Sequence, residues 1–108
     1  MTRDWTFTLA NANQWYNLWS LILTDPSFTD STLSNSPFVS KMACELKFQN
    51  LTNGSNIYRS DSKLEAGFQL PGGSWDVDRS DSNSIDLSNC NFQPDTAGAK
   101  LYVKITSR

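Results

Sequence analysis

The sequence predicts an all-β protein in the main, an antiparallel β-sandwich or jelly-roll-like barrel of about seven strands with one short N-terminal helix. Three observations predict it. Apolar residues alternate with polar ones at period two in run after run, turn residues recur about every 8 to 12 positions, and only residues 15–22 carry a helical stripe. With 108 residues, the chain is expected to form a single domain, 1–108, with one core and a large surface for its volume.

Trp5, Phe7 and Leu9 share one parity and Thr6 and Thr8 the other, which predicts a first strand over residues 4–10. After Asn11-Ala12-Asn13 the period changes. Trp15, Leu18, Trp19 and Ile22 fall at i, i+3, i+4 and i+7, with Asn13 placed as the cap and Thr24-Asp25-Pro26 as the stop. Residues 24–38 are polar and too long for a tight turn, so they read as a surface loop pinned by Phe28, Leu33 and Phe38.

Met42, Cys44, Leu46 and Phe48 alternate up to Asn53-Gly54, a strong short-range hairpin signal. A type I′ turn there sets Thr52 opposite Ser55 and Asn50 opposite Ile57, with Ile57 on the face of Phe48. Leu64, Ala66, Phe68 and Leu70 alternate up to Pro71-Gly72-Gly73, and Trp75 and Val77 open the next strand. From Ile85 to Ile105 the pattern predicts two strands joined by a polar turn: Ile85 and Leu87, then Pro94-Asp95 and Ala97-Gly98, then Leu101, Val103 and Ile105. The expected core is Trp5, Phe7, Leu9, Leu46, Phe48, Phe68, Leu87, Leu101, Val103 and Ile105, with the helix stripe packed against it.

The composition argues against several chemistries. There is no histidine, so a nucleophile–histidine pair is excluded. Asp76, Asp78, Asp81 and Asp86 are the nearest carboxylate cluster for glycoside hydrolysis or calcium, but their polar neighbours read as a solvated turn without the spacing of a calcium loop. No catalytic residue, cofactor or metal site is expected. The formal net charge is −2 and the nine Lys and Arg are scattered along the chain, which argues against nucleic acid. No apolar stretch is long enough for a membrane span and no secretion signal is visible, so neither secretion nor anchoring is expected. Cys44 and Cys90 read as buried thiols rather than a bridge, and the sequons at Asn50 and Asn53 as ordinary turn residues.

Four Trp, three Tyr and six Phe are many for this length, and most sit on apolar faces. Tyr16, Tyr58 and Tyr102 are at the opposite parity. They join Phe28, Leu33 and Phe38 as candidates for a protein interface.

The segments Leu9-Ala-Asn-Ala-Asn-Gln-Trp-Tyr-Asn-Leu-Trp-Ser-Leu-Ile22, Asn83-Ser-Ile-Asp-Leu-Ser-Asn89 and Asp95-Thr-Ala-Gly-Ala-Lys-Leu101 resemble small structural proteins of tailed bacteriophages. In those proteins a β-sandwich opens with a strand and a short helix and closes with a strand and a tight turn. The likeness covers about a third of the chain, at its two ends. It implies a non-enzymatic virion component, made in the host cytoplasm: a capsid decoration protein first, a head-fibre or tail-associated protein otherwise. It further implies a symmetric oligomer, with a trimer as the leading expectation, bound to a capsid or other virion protein. The rival reading is a carbohydrate-binding or host-attachment module, which exposed coplanar aromatics beside Asp or Asn on one sheet face would favour.

Overall fold

The computed structural model describes residues 2–25, 41–60, 68–80 and 85–106. Its strands are β1 (Thr2–Leu9), β2 (Tyr16–Asn17), β3 (Lys41–Ala43), β4 (Glu45–Asn50), β5 (Asn56–Ser60), β6 (Phe68–Pro71), β7 (Trp75–Arg79), β8 (Ile85–Asp86), β9 (Asn91–Pro94) and β10 (Ala99–Thr106). A helix, α1, spans Leu18–Ile22, and a 3-10 turn spans Leu87–Asn89.

Two antiparallel four-stranded sheets result, ordered β1-β10-β4-β7 and β2-β9-β5-β6, with β3 and β8 as a separate pair. Followed along the chain, β1 and β2 pair with β10 and β9, while β4 and β5 pair with β7 and β6. The chain therefore crosses from one sheet to the other four times, and in spatial order the crossings are β1–β2, β9–β10, β4–β5 and β6–β7. The β10–β4 and β9–β5 pairings join the two halves of this ribbon. The result is a sandwich with the winding of a jelly roll.

The four crossings lie side by side at one end of the sandwich and are hydrogen-bonded in sequence. Gly98 N donates to Leu9 O and Asn13 N to Pro94 O; Leu51 N donates to Lys100 O and Asp95 N to Asn56 O; Gly73 N donates to Asn50 O. Asn50 holds the third and fourth crossings together. Its side chain is fully buried, donating Nδ2 to Ser55 O and Leu70 O, both at 3.0 Å, and accepting from Thr52 N at 2.9 Å. Gly72 fits beside this corner because it lacks a side chain: a Cβ there would stand 2.5 Å from Thr52 O.

The hairpin expected at Asn53-Gly54 is one of these crossings. Both edges of β4 are occupied, by β10 and β7, so β5 has no place beside it and pairs in the other sheet. Gly54 takes φ 78° while Asn53 stays out of the left-handed region, so the two-residue I′ geometry is absent.

The sandwich interior is filled by alternate residues of both sheets: Phe7, Leu9, Leu46, Phe48, Leu101, Val103 and Ile105 from one, Ile57, Leu70 and Phe92 from the other. Phe48 meets Phe92 across the layers, edge to face, with centroids 5.5 Å apart. At the end away from the crossings, Leu18, Ile22, Ala43, Leu87 and Cys90 complete the core.

Several expectations are corrected. The helix begins at Leu18, because Tyr16 and Asn17 pair with Phe92 and Asn91 in β2; Trp15 therefore lies before it, half-buried. Its cap is Asn17, whose Oδ1 accepts from Ser20 N, whereas Asn13 sits at φ 60° and donates its N–H to Pro94. The strand expected across 41–48 breaks at Cys44, and that expected from Ile85 to Leu87 stops at Asp86, whose carboxylate accepts from Ser88 N and Oγ and winds the chain into the 3-10 turn. The last run therefore holds three strands, β8, β9 and β10. Phe68, expected in the core, is 45% exposed at the start of an edge strand, and Trp5 is only half-buried, stacked on Phe7 and donating Nε1–H to Asp25. Leu64 and Ala66 lie outside the described residues.

Replacing Asn50 with Ala strands two buried carbonyls and one amide, so Asn50→Ala is expected to cost about 2–4 kcal/mol in urea unfolding. An unchanged midpoint would show that the crossings hold without it.

Candidate functional site

Period two gives the two sheets distinct outer faces. On the β2-β9-β5-β6 sheet the outer positions include Gln93, Tyr58 and Gln69 in one cross-strand row, with Asn56 beside them. This face is an amide network: Gln69 Nε2 donates to Asn56 Oδ1, and Asn56 donates its N–H and Nδ2 to the two oxygens of Asp95. Those bonds, the backbone N–H of Asn56 foremost, hold the Asp95 carboxyl below the usual carboxylate range.

The outer face of the β1-β10-β4-β7 sheet is different in kind. One row runs Thr6, Tyr102, Gln49, Trp75; the next runs Asp4, Lys104, Lys47, Val77; a third runs Thr2, Thr106, Glu45, Arg79. Trp75 is 60% exposed, the largest such value among the exposed large apolar residues described. Lys47 Nζ stands 4.8 Å from the centroid of its ring. Tyr102 donates its hydroxyl to Asp4 at 3.2 Å; partial burial and this bond push its pKa up. Arg79 pairs with Glu45 at 3.3 Å. With Lys100 beyond Tyr102 on β10, four of the nine Lys and Arg are gathered on this face, though they are scattered in sequence.

This register reverses the expected parity of β7. Trp75 and Val77 point outward, and Asp76 and Asp78, opposite Phe48 and Leu46, point inward at the edge of the sandwich. Asp78 is matched there by Arg59, which reaches across from β5. The guanidinium also lies 4.8 Å from the Phe48 ring centroid and donates to Cys90 Sγ at 3.6 Å. Burial lowers the Arg59 pKa, but the bond to Asp78 and the neighbouring charges outweigh it and the net shift is upward. Burial pushes the Cys90 thiol up despite Arg59, so it stays protonated. Cys44 and Cys90 are both free and buried.

The sequence-derived carboxylate cluster is thus dispersed. Asp78 belongs to the Arg59 pair, Asp76 accepts from Val77 N, Asp86 caps the 3-10 turn, and Asp81 lies outside the described residues. No group of three His, Cys, Asp or Glu side chains among the described residues converges to hold a metal ion. Nor is any helix described long and apolar enough to cross a membrane. Asn50, a sequon residue, is buried and committed to its corner, while Asn53 is exposed.

Of the interface candidates, Tyr16 faces inward opposite Phe92, half-buried, its phenol oxygen accepting from Asn11 N. Tyr58 and Tyr102 lie on opposite outer faces and form no common patch. Phe28, Leu33 and Phe38 lie outside the described residues. Sequence reasoning missed Lys47, Gln49, Trp75 and Lys104 as one surface, because their proximity depends on strand pairing. Comparison of the chain with protein-family models, curated proteins and solved structures gives no match.

Two outcomes follow. Arg59→Met leaves the Asp78 charge at the sandwich edge and should cost about 1–2 kcal/mol, discounted for partial exposure, while the double change with Asp78→Leu should recover most of it; an additive double mutant would contradict the pairing. Asp95 has a lowered folded-state pKa, so its contribution is present above the unfolded value and lost as pH falls through the folded one. Asp95→Asn should therefore lower the thermal midpoint at pH 7, and the deficit should shrink as pH falls below the usual carboxylate range, read by circular dichroism.

Proposed function

We propose that this chain is a non-enzymatic structural protein of a tailed-phage virion, a decoration protein that binds the capsid at repeated lattice positions as a symmetric oligomer. The observation that carries this reading is that the N-terminal segment resembling phage structural proteins adjoins, in the fold, the two C-terminal segments that resemble them. The first and last meet at neighbouring crossings, through Gly98 N to Leu9 O and Asn13 N to Pro94 O. The first also meets the middle segment, through Asn17 Nδ2 to Ser88 O at 2.7 Å. The jelly-roll winding, an architecture shared by viral capsid and lectin domains, is compatible with this reading by fold analogy alone and does not discriminate it from a carbohydrate-binding one.

A second reading has its own observation. Trp75 and Tyr102 are outward-facing aromatics on one sheet face, with Gln49 between them and Asp4 beside Tyr102. That shared face is what supports a carbohydrate-binding module as the second reading.

Size-exclusion chromatography with light scattering, followed by mixing with phage particles lacking the protein, tests the first reading. Decoration predicts a symmetric oligomer, a trimer first, that saturates particles at a fixed ratio and raises their heat stability. A monomer that leaves particles bare would overturn it.

A further inference from the structure

We propose that the outer face of the β1-β10-β4-β7 sheet binds an anionic polysaccharide of the polyuronate class, its sugar rings lying on Trp75 and Tyr102 and its carboxylates at Lys47 and Lys104. This deepens the carbohydrate reading and rests on it. The first argument is charge. Among the described residues this face carries Lys47, Arg79, Lys100 and Lys104 against Asp4 and Glu45, two more cations than acids, in a chain with two more acids than cations.

The second argument is placement. Lys47 and Lys104 are directly opposite one another in the β4–β10 register. Like charges in that position destabilise a sheet. The acids nearby offset only part of this: Glu45 pairs with Arg79, and Asp4, opposite Lys104 in β1 and accepting the Tyr102 hydroxyl, places one carboxylate in register with two ammonium groups. A carboxylate from outside would balance the remaining charge of this row, which gives an anionic ligand an attraction that a neutral sugar lacks.

The third argument is shape. Trp75 and Tyr102 are separated by β4 alone, so their Cα atoms stand about 10 Å apart across a sheet face. Gln49, in register with both, supplies an amide between the rings. The Trp75 face that Lys47 leaves open and the Tyr102 ring for C–H surfaces, an amide for hydroxyls and ammonium groups for carboxylates together match an acidic sugar chain. A nucleic acid matches less well, since its phosphate backbone calls for a longer run of unpaired cations, and here Arg79 is already paired.

Affinity electrophoresis through gels containing polygalacturonate, its fully methyl-esterified form, dextran or single-stranded DNA tests the proposal. Polygalacturonate should retard the protein, with the esterified chain bound at least about tenfold more weakly. Trp75→Ala and the double change Lys47→Gln with Lys104→Gln should each abolish retardation while keeping the native dichroism spectrum and a cooperative melt. All three side chains are on the outer face, so folding is retained. Equal binding of the charged and esterified chains, lost in Trp75→Ala, would overturn the preference for acid and leave the carbohydrate reading standing. Binding to none of the sugars would overturn both. DNA bound as tightly as polygalacturonate, or retardation that survives Trp75→Ala, would overturn the proposal in favour of a nonspecific polyanion surface.

Discussion

The fold depends on how the chain satisfies its backbone where it leaves one sheet for the other. Each crossing takes polar groups out of a ladder, and buried groups without partners are costly. Here the crossings satisfy one another. Asn50 is central because its side chain bonds both to its own corner and to Leu70 in the facing sheet, while its backbone bonds to Gly73 and Ser74. A single amide thus fixes β4, β5, β6 and β7 at one end. The Phe48–Phe92 contact and the Arg59–Asp78 pair hold the layers together farther along.

That arrangement decides what the surfaces present. Once β4 is fixed between β10 and β7, Lys47 must face Lys104 and Gln49 must lie between Tyr102 and Trp75. The same register turns Asp76 and Asp78 inward at the sandwich edge, where charged groups discourage pairing with further strands. Stability and surface chemistry are therefore set by one choice of register: the inward Asp78 needs Arg59, and the outward Trp75 is left to solvent and Lys47.

Alternation made the core strands legible. Phe7, Leu9, Leu46, Phe48, Leu101, Val103 and Ile105 are buried as their parity implies. Partners were not legible, because a period of two assigns faces and says nothing of which strand lies alongside. Asn53-Gly54 carries a hairpin signature, yet both edges of β4 were already taken by strands distant in sequence. In β7 parity itself misled. Trp75 and Val77 outrank two aspartates as core residues, and the reverse is accommodated by Arg59, which reaches Asp78 from the other sheet, and by the Val77 N–H, which donates to Asp76. Of the candidate surface, Tyr102 was visible as an outward residue; its grouping with Trp75 and two lysines required the pairings.

The wound topology is most directly tested by cross-strand nuclear Overhauser contacts between backbone protons in the labelled protein. The account predicts contacts of Phe48 with Val103 and with Asp76, and of Tyr58 with Gln93, with no ladder between β4 and β5. Contacts of Asn50 with Ile57 and of Thr52 with Ser55 in a continuous hairpin register would contradict it.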